Sequence, residues 1–252
     1  MSEKTRSKQL LPPLNIILFS SAEVELPLSL QDPRARHILT VLRRQTGEVF
    51  DVGLINGPRG KATLTRVNEA ALELSFAWTM PPPPLAQIRL IIGLPRPQTA
   101  RDLLRENASL GVAALDFVRT EKSEASYAQS SLWSSGEAEK LLAAGTAQAF
   151  CTRLPDLRHG HSLAEAVAAL PAGGDRIALD NYESAAALSR LPLAAPSPVT
   201  LALGGERGWS GAERGLLRDQ GFVFAHLGCR VLRTETACIA AVTLLRAKLG
   251  LT

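Results

Sequence analysis

Residues 201–237, LALGGERGWSGAERGLLRDQGFVFAHLGCRVLRTETA, decide the fold because two apolar runs within them each stop at a glycine turn. The run LAL ends at Gly204-Gly205, and the run FVFAHL ends before Gly228. A helical pattern follows each turn. In an open α/β sheet, ligands bind where strand ends meet helix N-termini, so we expect a ligand site in this stretch.

Strand-like and helical patterns alternate from residue 88 onward, which predicts an α/β domain with a mostly parallel sheet. The strand-like runs are 88–93, 113–118, 175–179, 199–203 and 222–227. The helical patterns are 99–110, 136–150, 162–170, 211–220 and 235–249, with one more opening at Asp180. Three pairs with capping-box spacing predict helix starts: Thr99 with Asp102, Asp180 with Glu183, and Ser210 with Glu213.

The first 80 residues have a different pattern. Residues 34–46, RARHILTVLRRQT, have apolar positions at helical spacing. Strand-like runs at 15–19, 48–55, 61–67 and 72–78, joined by short turns, predict a small barrel or sandwich. Four prolines follow Met80, and because such a run cannot continue a sheet, we predict domains at 1–80 and 81–252.

Composition narrows the class of protein. Of 252 residues, 46% are hydrophobic and 21% charged, which is typical of a globular protein. Lys+Arg number 28 against 24 Asp+Glu, and the resulting charge of +4 mildly favours polyanionic partners. Three cysteines without a CxxC pair predict neither a metal site nor disulfides. Residues 1–14 lack the apolar core of a signal peptide, and no apolar run could span a membrane, so we expect a cytoplasmic protein.

Several segments together resemble one family. LGCRVLRTETA (227–237) is close to LGxRILRxETA, and GGERGWSGAE (204–213) is similar to GPEGGFSxxE. HILTVLRRQTGE (37–48) is similar to HxxxVLRxxxGD, and TEKS (120–123) to TERS. These are motifs of the RsmE family, the 16S ribosomal RNA uridine-N3 methyltransferases of the SPOUT class. Their order and spacing fit, so the resemblance covers nearly the whole chain.

The resemblance implies an architecture and an activity. It implies an N-terminal PUA-like β-barrel that binds RNA, and a C-terminal α/β SPOUT domain with a deep trefoil knot at about 178–240. It implies an enzyme that transfers a methyl group from S-adenosylmethionine to N3 of a uridine in 16S ribosomal RNA. The expected partners are ribosomal RNA or the small ribosomal subunit and a second copy of the chain in a homodimer, without a metal.

The resemblance also assigns residues to S-adenosylmethionine. Glycines would let the backbone approach the adenosine closely, although they are also ordinary in strand-to-helix turns. The leucines and the valine would form apolar walls, although they are also suited to core packing. The cofactor-binding candidates are Leu179, Leu203, Gly204, Gly205, Gly208, Leu227, Gly228, Val231, Leu232 and Thr236.

Arg233 and Glu235 are the catalytic candidates. Uridine N3 attacks well only after losing its proton, so an enzyme must remove that proton or stabilise the anion. Arg233 could bind the uracil oxygens or a phosphate. Glu235 could accept the proton or hold Arg233, or it could simply favour the start of a helix that Thr234 caps.

Basic residues supply the RNA-binding candidates. Five lie in or beside the helical pattern of the first domain and could bind phosphates, although a charged stripe of this kind is often only solvated. Two others lie in the second domain. The candidates are Arg34, Arg36, His37, Arg43, Arg44, Arg153 and Arg207.

Departures from the family motifs leave other functions open. Gly205 and Arg207 stand where the family has Pro and Gly, and Glu106 and Ser109 where it has Lys and Glu. One alternative is therefore a catalytically altered SPOUT relative that binds RNA or ribosomal particles without methylating this uridine. Another is a generic nucleotide-dependent α/β enzyme with no dependence on RNA.

Overall fold

The computed structural model describes residues 15–184, 186–194 and 197–251. The chain forms two compact units that divide between Pro81 and Pro82.

A five-stranded sheet forms the first unit. Its strands are β1 (Ile17–Phe19), β2 (Leu28–Ser29), β3 (Val49–Leu54), β4 (Arg59–Val67) and β5 (Ala71–Met80). They lie in the order β1-β3-β4-β5-β2, in which β1 runs parallel to β3 and the other neighbours are antiparallel. Within the described residues β1 and β2 are the two edges, so this sheet is a half-barrel and not the closed barrel or sandwich that the sequence predicts.

The helix of the first unit is shorter than the pattern predicts. Helix α1 (Pro33–Arg36) begins at Asp32, whose carboxylate accepts a hydrogen bond from the Arg34 backbone N–H. A single π-helical turn, His37–Val41, follows it. The predicted continuation to residue 46 is wrong, because Arg43 adopts a left-handed φ of 53° that ends the helix.

The second unit is built on a seven-stranded sheet, and every neighbouring pair in it is parallel. The strand order is β10-β12-β9-β11-β6-β7-β8. The strands are β6 (Ala86–Gly93), β7 (Val112–Arg119), β8 (Asp156–Ser162), β9 (Asp175–Leu179), β10 (Ala186–Ala187), β11 (Val199–Leu203) and β12 (Val223–His226). The predicted α/β architecture is confirmed.

Helices cover both faces of this sheet, because alternate residues along its strands point to opposite sides. Leu90 and Ile92 pack into a core with α2 (Pro97–Ser109), α4 (Glu137–Gln148) and α7 (Thr234–Lys248). Ile91 packs on the other face with α5 (Leu163–Ala168) and α6 (Gly211–Asp219). The short helix α3 (Ala125–Ala128) follows β7. With both faces covered, ligands can approach the strands only at their ends.

Two of the three predicted capping boxes do not form. Helix α2 begins at Pro97, and Thr99 Oγ1 instead accepts a hydrogen bond from Arg96 Nε. Asp180 Oδ1 accepts from the two backbone N–H groups that a cap would bind, but the chain then enters β10 and no helix forms. The third box, Ser210 with Glu213, is confirmed.

Candidate active site

The carboxyl ends of three parallel strands lie side by side in the second unit. Leu203 of β11 pairs with Leu179 of β9, and Leu179 pairs with Ala225 of β12. Because β9 lies between the other two strands, the two glycine turns flank its end. We call residues 204–208, after β11, the first turn and residues 227–233, after β12, the second turn. The cofactor-binding candidates thus lie in or near the turns at the carboxyl ends of these three strands.

The first turn is closed by its own backbone. The Gly208 N–H donates a hydrogen bond of 2.9 Å to the Gly205 carbonyl. A Cβ added at Gly204 would lie 2.7 Å from Gly208 Cα, so no larger residue fits at Gly204 without movement. Gly208 has a φ of +62°, which favours glycine. Trp209, directly after the turn, is fully buried and anchors the turn to the core.

Side chains from the segment after β7 hold the first turn from outside. Lys122 Nζ donates hydrogen bonds to the carbonyls of Arg207 and Trp209, at 3.2 and 2.8 Å. The Glu213 carboxylate, already part of the capping box, also accepts from the Glu121 N–H at 2.8 Å. The similarity of TEKS to the family motif was the available sequence signal for this contact, but the residues alone did not predict it.

Ion pairs fix the two charged residues of the first turn. Glu206 accepts a hydrogen bond of 3.0 Å from the Arg96 N–H, and the Arg96 guanidinium lies 3.8 Å from the same oxygen. Arg207 forms an ion pair with Glu124 at 2.9 Å, and both side chains are exposed. Arg207, a candidate for RNA binding, is therefore accessible but paired.

The second turn is open by comparison. Gly228 has a φ of +116°, and its N–H donates to His226 Nδ1 at 3.0 Å. Val231, expected to be an apolar wall, is 84% exposed, and Leu232 is half-buried. Leu227 packs against the core, so among the candidates of this turn it is the one most fixed by the protein.

The catalytic candidates lie at the start of α7. Arg233, not Thr234, is the N-cap, and its exposed side chain makes no capping hydrogen bond; the alternative in which Thr234 caps the helix is therefore wrong. Glu235 is half-buried in the first helical turn, where a carboxylate is favoured by the helix dipole. Thr236 is exposed one residue further. This arrangement holds a cation and a carboxylate beside the strand ends.

The RNA-binding candidates of the first unit differ in how far they are already engaged. Arg34 forms ion pairs with Glu23 and Asp32 and a hydrogen bond to the Leu18 carbonyl. Hydrogen bonding to Arg34 lowers the pKa of Glu23 to about 2. Arg34 therefore has a structural role. The others are less committed: Arg36 and Arg43 are exposed, and His37 and Arg44 are half-buried.

Arg153 is exposed in the segment between α4 and β8. Across the described parts of the chain, no group of three or more His, Cys, Asp or Glu side chains could hold a metal ion. The same parts contain no helix that is both long and apolar enough to cross a membrane.

Solved structures share this fold. A methyltransferase of Legionella pneumophila, solved with bound SAM, is 24% identical, has a TM-score of 0.76, and aligns over 92% of this chain and 97% of its own. A ribosomal RNA small subunit methyltransferase E of Neisseria gonorrhoeae, bound to S-adenosyl methionine, is 23% identical with a TM-score of 0.73 over the same shares. At these identities the likeness establishes the fold.

Sequence comparison identifies the family. The model of the RNA methyltransferase domain matches residues 81–246. The ribosomal RNA small subunit methyltransferase E of Treponema pallidum is 33% identical over 243 residues, which cover 90% of this chain and 89% of that protein. A protein of Borreliella burgdorferi named ribosomal RNA small subunit methyltransferase E 1 is 26% identical, over 94% of this chain and 99% of its own length. The chain therefore belongs to the RNA methyltransferase family, in the RsmE branch of ribosomal RNA small subunit methyltransferases E.

Proposed function

We propose that this protein transfers a methyl group from S-adenosylmethionine to N3 of a uridine in 16S ribosomal RNA. The observation that carries the proposal is the alignment of three strand ends, at Leu179, Leu203 and Ala225, between two glycine turns. The relatives named ribosomal RNA small subunit methyltransferase E support the substrate, and the SAM-bound structures with this fold support the methyl donor.

The residues at the strand ends fit the methyl donor. Leu179 is half-buried at its strand end and offers apolar surface to an adenine, whereas Leu203 is buried in the core beneath it. At Gly228 an added Cβ would meet no other atom, so the space beside that residue is open. S-adenosylmethionine supplies an electrophilic methyl group on a sulfonium. Its positive charge needs polar backbone and no metal.

Arg233 and Glu235 are proposed to prepare the uridine. Loss of the N3 proton spreads negative charge onto the uracil O2 and O4, and an arginine can donate hydrogen bonds to those oxygens. The exposed guanidinium of Arg233, with no capping bond to make, is available for this contact. Glu235, half-buried in the first helical turn of α7, is the proposed acceptor of that proton.

We propose that residues 1–80 form a PUA-like RNA-binding domain and residues 81–252 the SPOUT methyltransferase domain. Arg36, His37, Arg43 and Arg44 are the proposed phosphate contacts of the first domain, because the charge of Arg34 is already neutralised. Arg153 and Arg207 are the proposed contacts of the second.

We also propose a trefoil knot at about 178–240. Its support is the strand order. Strands β9 and β10 are joined in the chain by residues 180–185 alone, yet the later strand β12 lies between them in the sheet. A homodimer is proposed from the resemblance to the family, and the exposed Val231 would lie near a partner chain in it. We place the protein in the cytoplasm, where ribosomal RNA is modified.

The test is methyl transfer from labelled S-adenosylmethionine to 16S ribosomal RNA that lacks the mark, both free and in small-subunit particles. Mass spectrometry of the product should find one N3-methyluridine. Binding of RNA and of the methyl donor without any transfer would contradict the proposal and favour the catalytically altered relative. Donor consumption without RNA would favour the generic enzyme.

A further inference from the structure

A pocket of about 220 Å³ lies beside the first turn. It is lined by the residues that follow β6 and β7 and by the turn itself, including Leu94, Thr120, Ser123, Tyr127 and 205–208. The strand order in this part of the sheet is β12-β9-β11-β6-β7. The pocket lies beyond the carboxyl ends of β11, β6 and β7, whereas the candidates for the methyl donor lie beyond those of β12, β9 and β11. The first turn is therefore a common wall between the two.

We propose that this pocket receives the acceptor uridine, with the Tyr127 ring as the surface on which the base stacks. The inference rests on the function proposed above and assigns that function a substrate site. Arg233 and Glu235 lie at the second turn, so in this assignment Lys122 binds one uracil oxygen and Arg233 the other, and N3 between them faces the methyl donor.

The pocket of about 220 Å³ has the size of a small ligand such as a nucleoside, and it adjoins a second space of about 420 Å³ with which it shares Leu94, Thr120, Ser123 and Glu124. Next to the lining residue Leu94, Gly93 packs against the backbone of Gly205. A Cβ on Gly93 would lie 2.6 Å from the Gly205 nitrogen, so no larger residue fits at position 93 without movement.

Lys122 gives the pocket a positive charge and a free donor. An ammonium has three N–H groups, and Lys122 uses two of them on the carbonyls of Arg207 and Trp209. The third can donate to a uracil oxygen, whose negative charge grows as N3 loses its proton. The hydroxyls of Thr120 and Ser123 lie 2.6 Å apart, and Ser123 donates to the Leu94 carbonyl, so this side of the pocket offers acceptor oxygens to the N–H edge of a base.

The rim of the pocket carries groups that can bind a phosphate. Arg207 and Glu124 form their ion pair there, and with 67% and 49% of the side chains exposed the pair is a weak surface interaction. A phosphate of the RNA can take the place of Glu124 on Arg207. Arg96 also lines the pocket and is a second cation at its rim.

The deciding experiment is photo-crosslinking with 16S ribosomal RNA fragments that carry 5-iodouridine in place of uridine, using the full-length protein. Peptide mapping should find the crosslink on Tyr127. Crosslinks confined to residues outside the pocket would overturn the inference. Because crosslinking needs no turnover, methyl transfer by the wild-type protein, measured separately, tests the proposed function independently of the pocket.

Substitution of Tyr127 supplies the second measurement. Tyr127→Ala should weaken RNA binding by roughly 5- to 100-fold, the effect of losing one base–aromatic stack, and Tyr127→Phe should restore most of it because the ring is kept. The affinity for S-adenosylmethionine, measured by calorimetry, should be the same in both variants, which also shows that they fold. A loss of S-adenosylmethionine affinity with RNA binding intact would assign the pocket to the methyl donor and overturn the inference.

Discussion

The two turns of the candidate active site are built in different ways. The first turn, 204–208, is closed by a hydrogen bond within its own backbone, clamped by Lys122 and anchored by the buried Trp209. The second turn, 227–233, is mostly exposed and ends in a helix whose N-cap makes no side-chain bond. The protein itself therefore fixes the first turn, whereas the second leaves polar groups free.

This difference assigns separate tasks to the two turns. In the proposed arrangement the first turn is a preorganised wall between the methyl donor and the acceptor, and it needs no ordering during the reaction. Free groups at the second turn can form their strongest contacts with the substrate. Substitutions in the first turn should therefore lower stability, and substitutions in the second should lower turnover.

Arg233→Ala, in the second turn, should give the largest effect. We expect the rate of methyl transfer to fall by about 100-fold or more, because a donor to a developing oxyanion is lost. The affinity for S-adenosylmethionine and the melting temperature should be unchanged. Single-turnover rates with unmethylated 16S ribosomal RNA measure the effect, and Arg230→Ala, an exposed arginine of the same turn, is the matched control with a much smaller loss. Equal losses in the two variants would contradict a specific role for Arg233.

Gly204→Ala and Gly228→Ala compare the two turns directly. The added Cβ at Gly204 would press on Gly208, so the free energy of unfolding should fall by about 2–3 kcal/mol. At Gly228 the added Cβ meets no atom, and only the positive φ of +116° is unfavourable, so a loss of about 1–2 kcal/mol is expected. Denaturant titration measures both values. The reverse order of destabilisation would show that the first turn is not the rigid one.

Lys122→Met should have a moderate effect on stability through the first turn. Removing the two hydrogen bonds to the Arg207 and Trp209 carbonyls should lower the free energy of unfolding by about 1–2 kcal/mol. Lys122→Arg should retain most of that stability, and Lys140→Met, on the exposed face of α4, controls for the loss of a charge. A full wild-type stability for Lys122→Met would mean that the clamp does not hold the turn.

The smallest expected effect is a change in the alkylation rate of a cysteine thiol. Burial raises the pKa of Cys238 to about 12, so this thiol stays protonated and unreactive at neutral pH until the chain unfolds. Cys229, exposed in the second turn, should react with iodoacetamide, and S-adenosylmethionine should slow that reaction. Peptide mass spectrometry measures each site, with the half-buried Cys151 as an internal reference. Reaction of Cys229 at a rate independent of S-adenosylmethionine would place the methyl donor elsewhere.

The sequence predicts the strands best where apolar runs are buried on both faces. Residues 88–93 and 199–203 became β6 and β11, neighbours at the centre of the sheet. Strand β8, by contrast, was not predicted. Its sequence, DLRHGHS, is polar because it is an edge strand with much of its length exposed, so it carries no apolar periodicity.

Other features depend on contacts between residues far apart in the chain. Asp180 has the local signature of a helix cap, but its second carboxylate oxygen binds Arg214 at 2.7 Å and the chain turns into β10. The placement of β9 between β11 and β12, which aligns Leu179 with Leu203, follows from pairing and not from sequence order. Motif similarity identified the turn residues, but Tyr127 gave no signal, because its place in a pocket exists only after folding.

The strand order also constrains when this protein becomes active during its synthesis. Strand β12 lies between β9 and β10, and β11 pairs with β6, although residues 94–198 separate β6 from β11. The centre of the sheet therefore cannot be completed until residues up to 226 have left the ribosome. Late, long-range pairings of this kind slow folding. A ribosome translating this message carries a nascent chain whose donor site is unformed, so a truncated product cannot modify RNA.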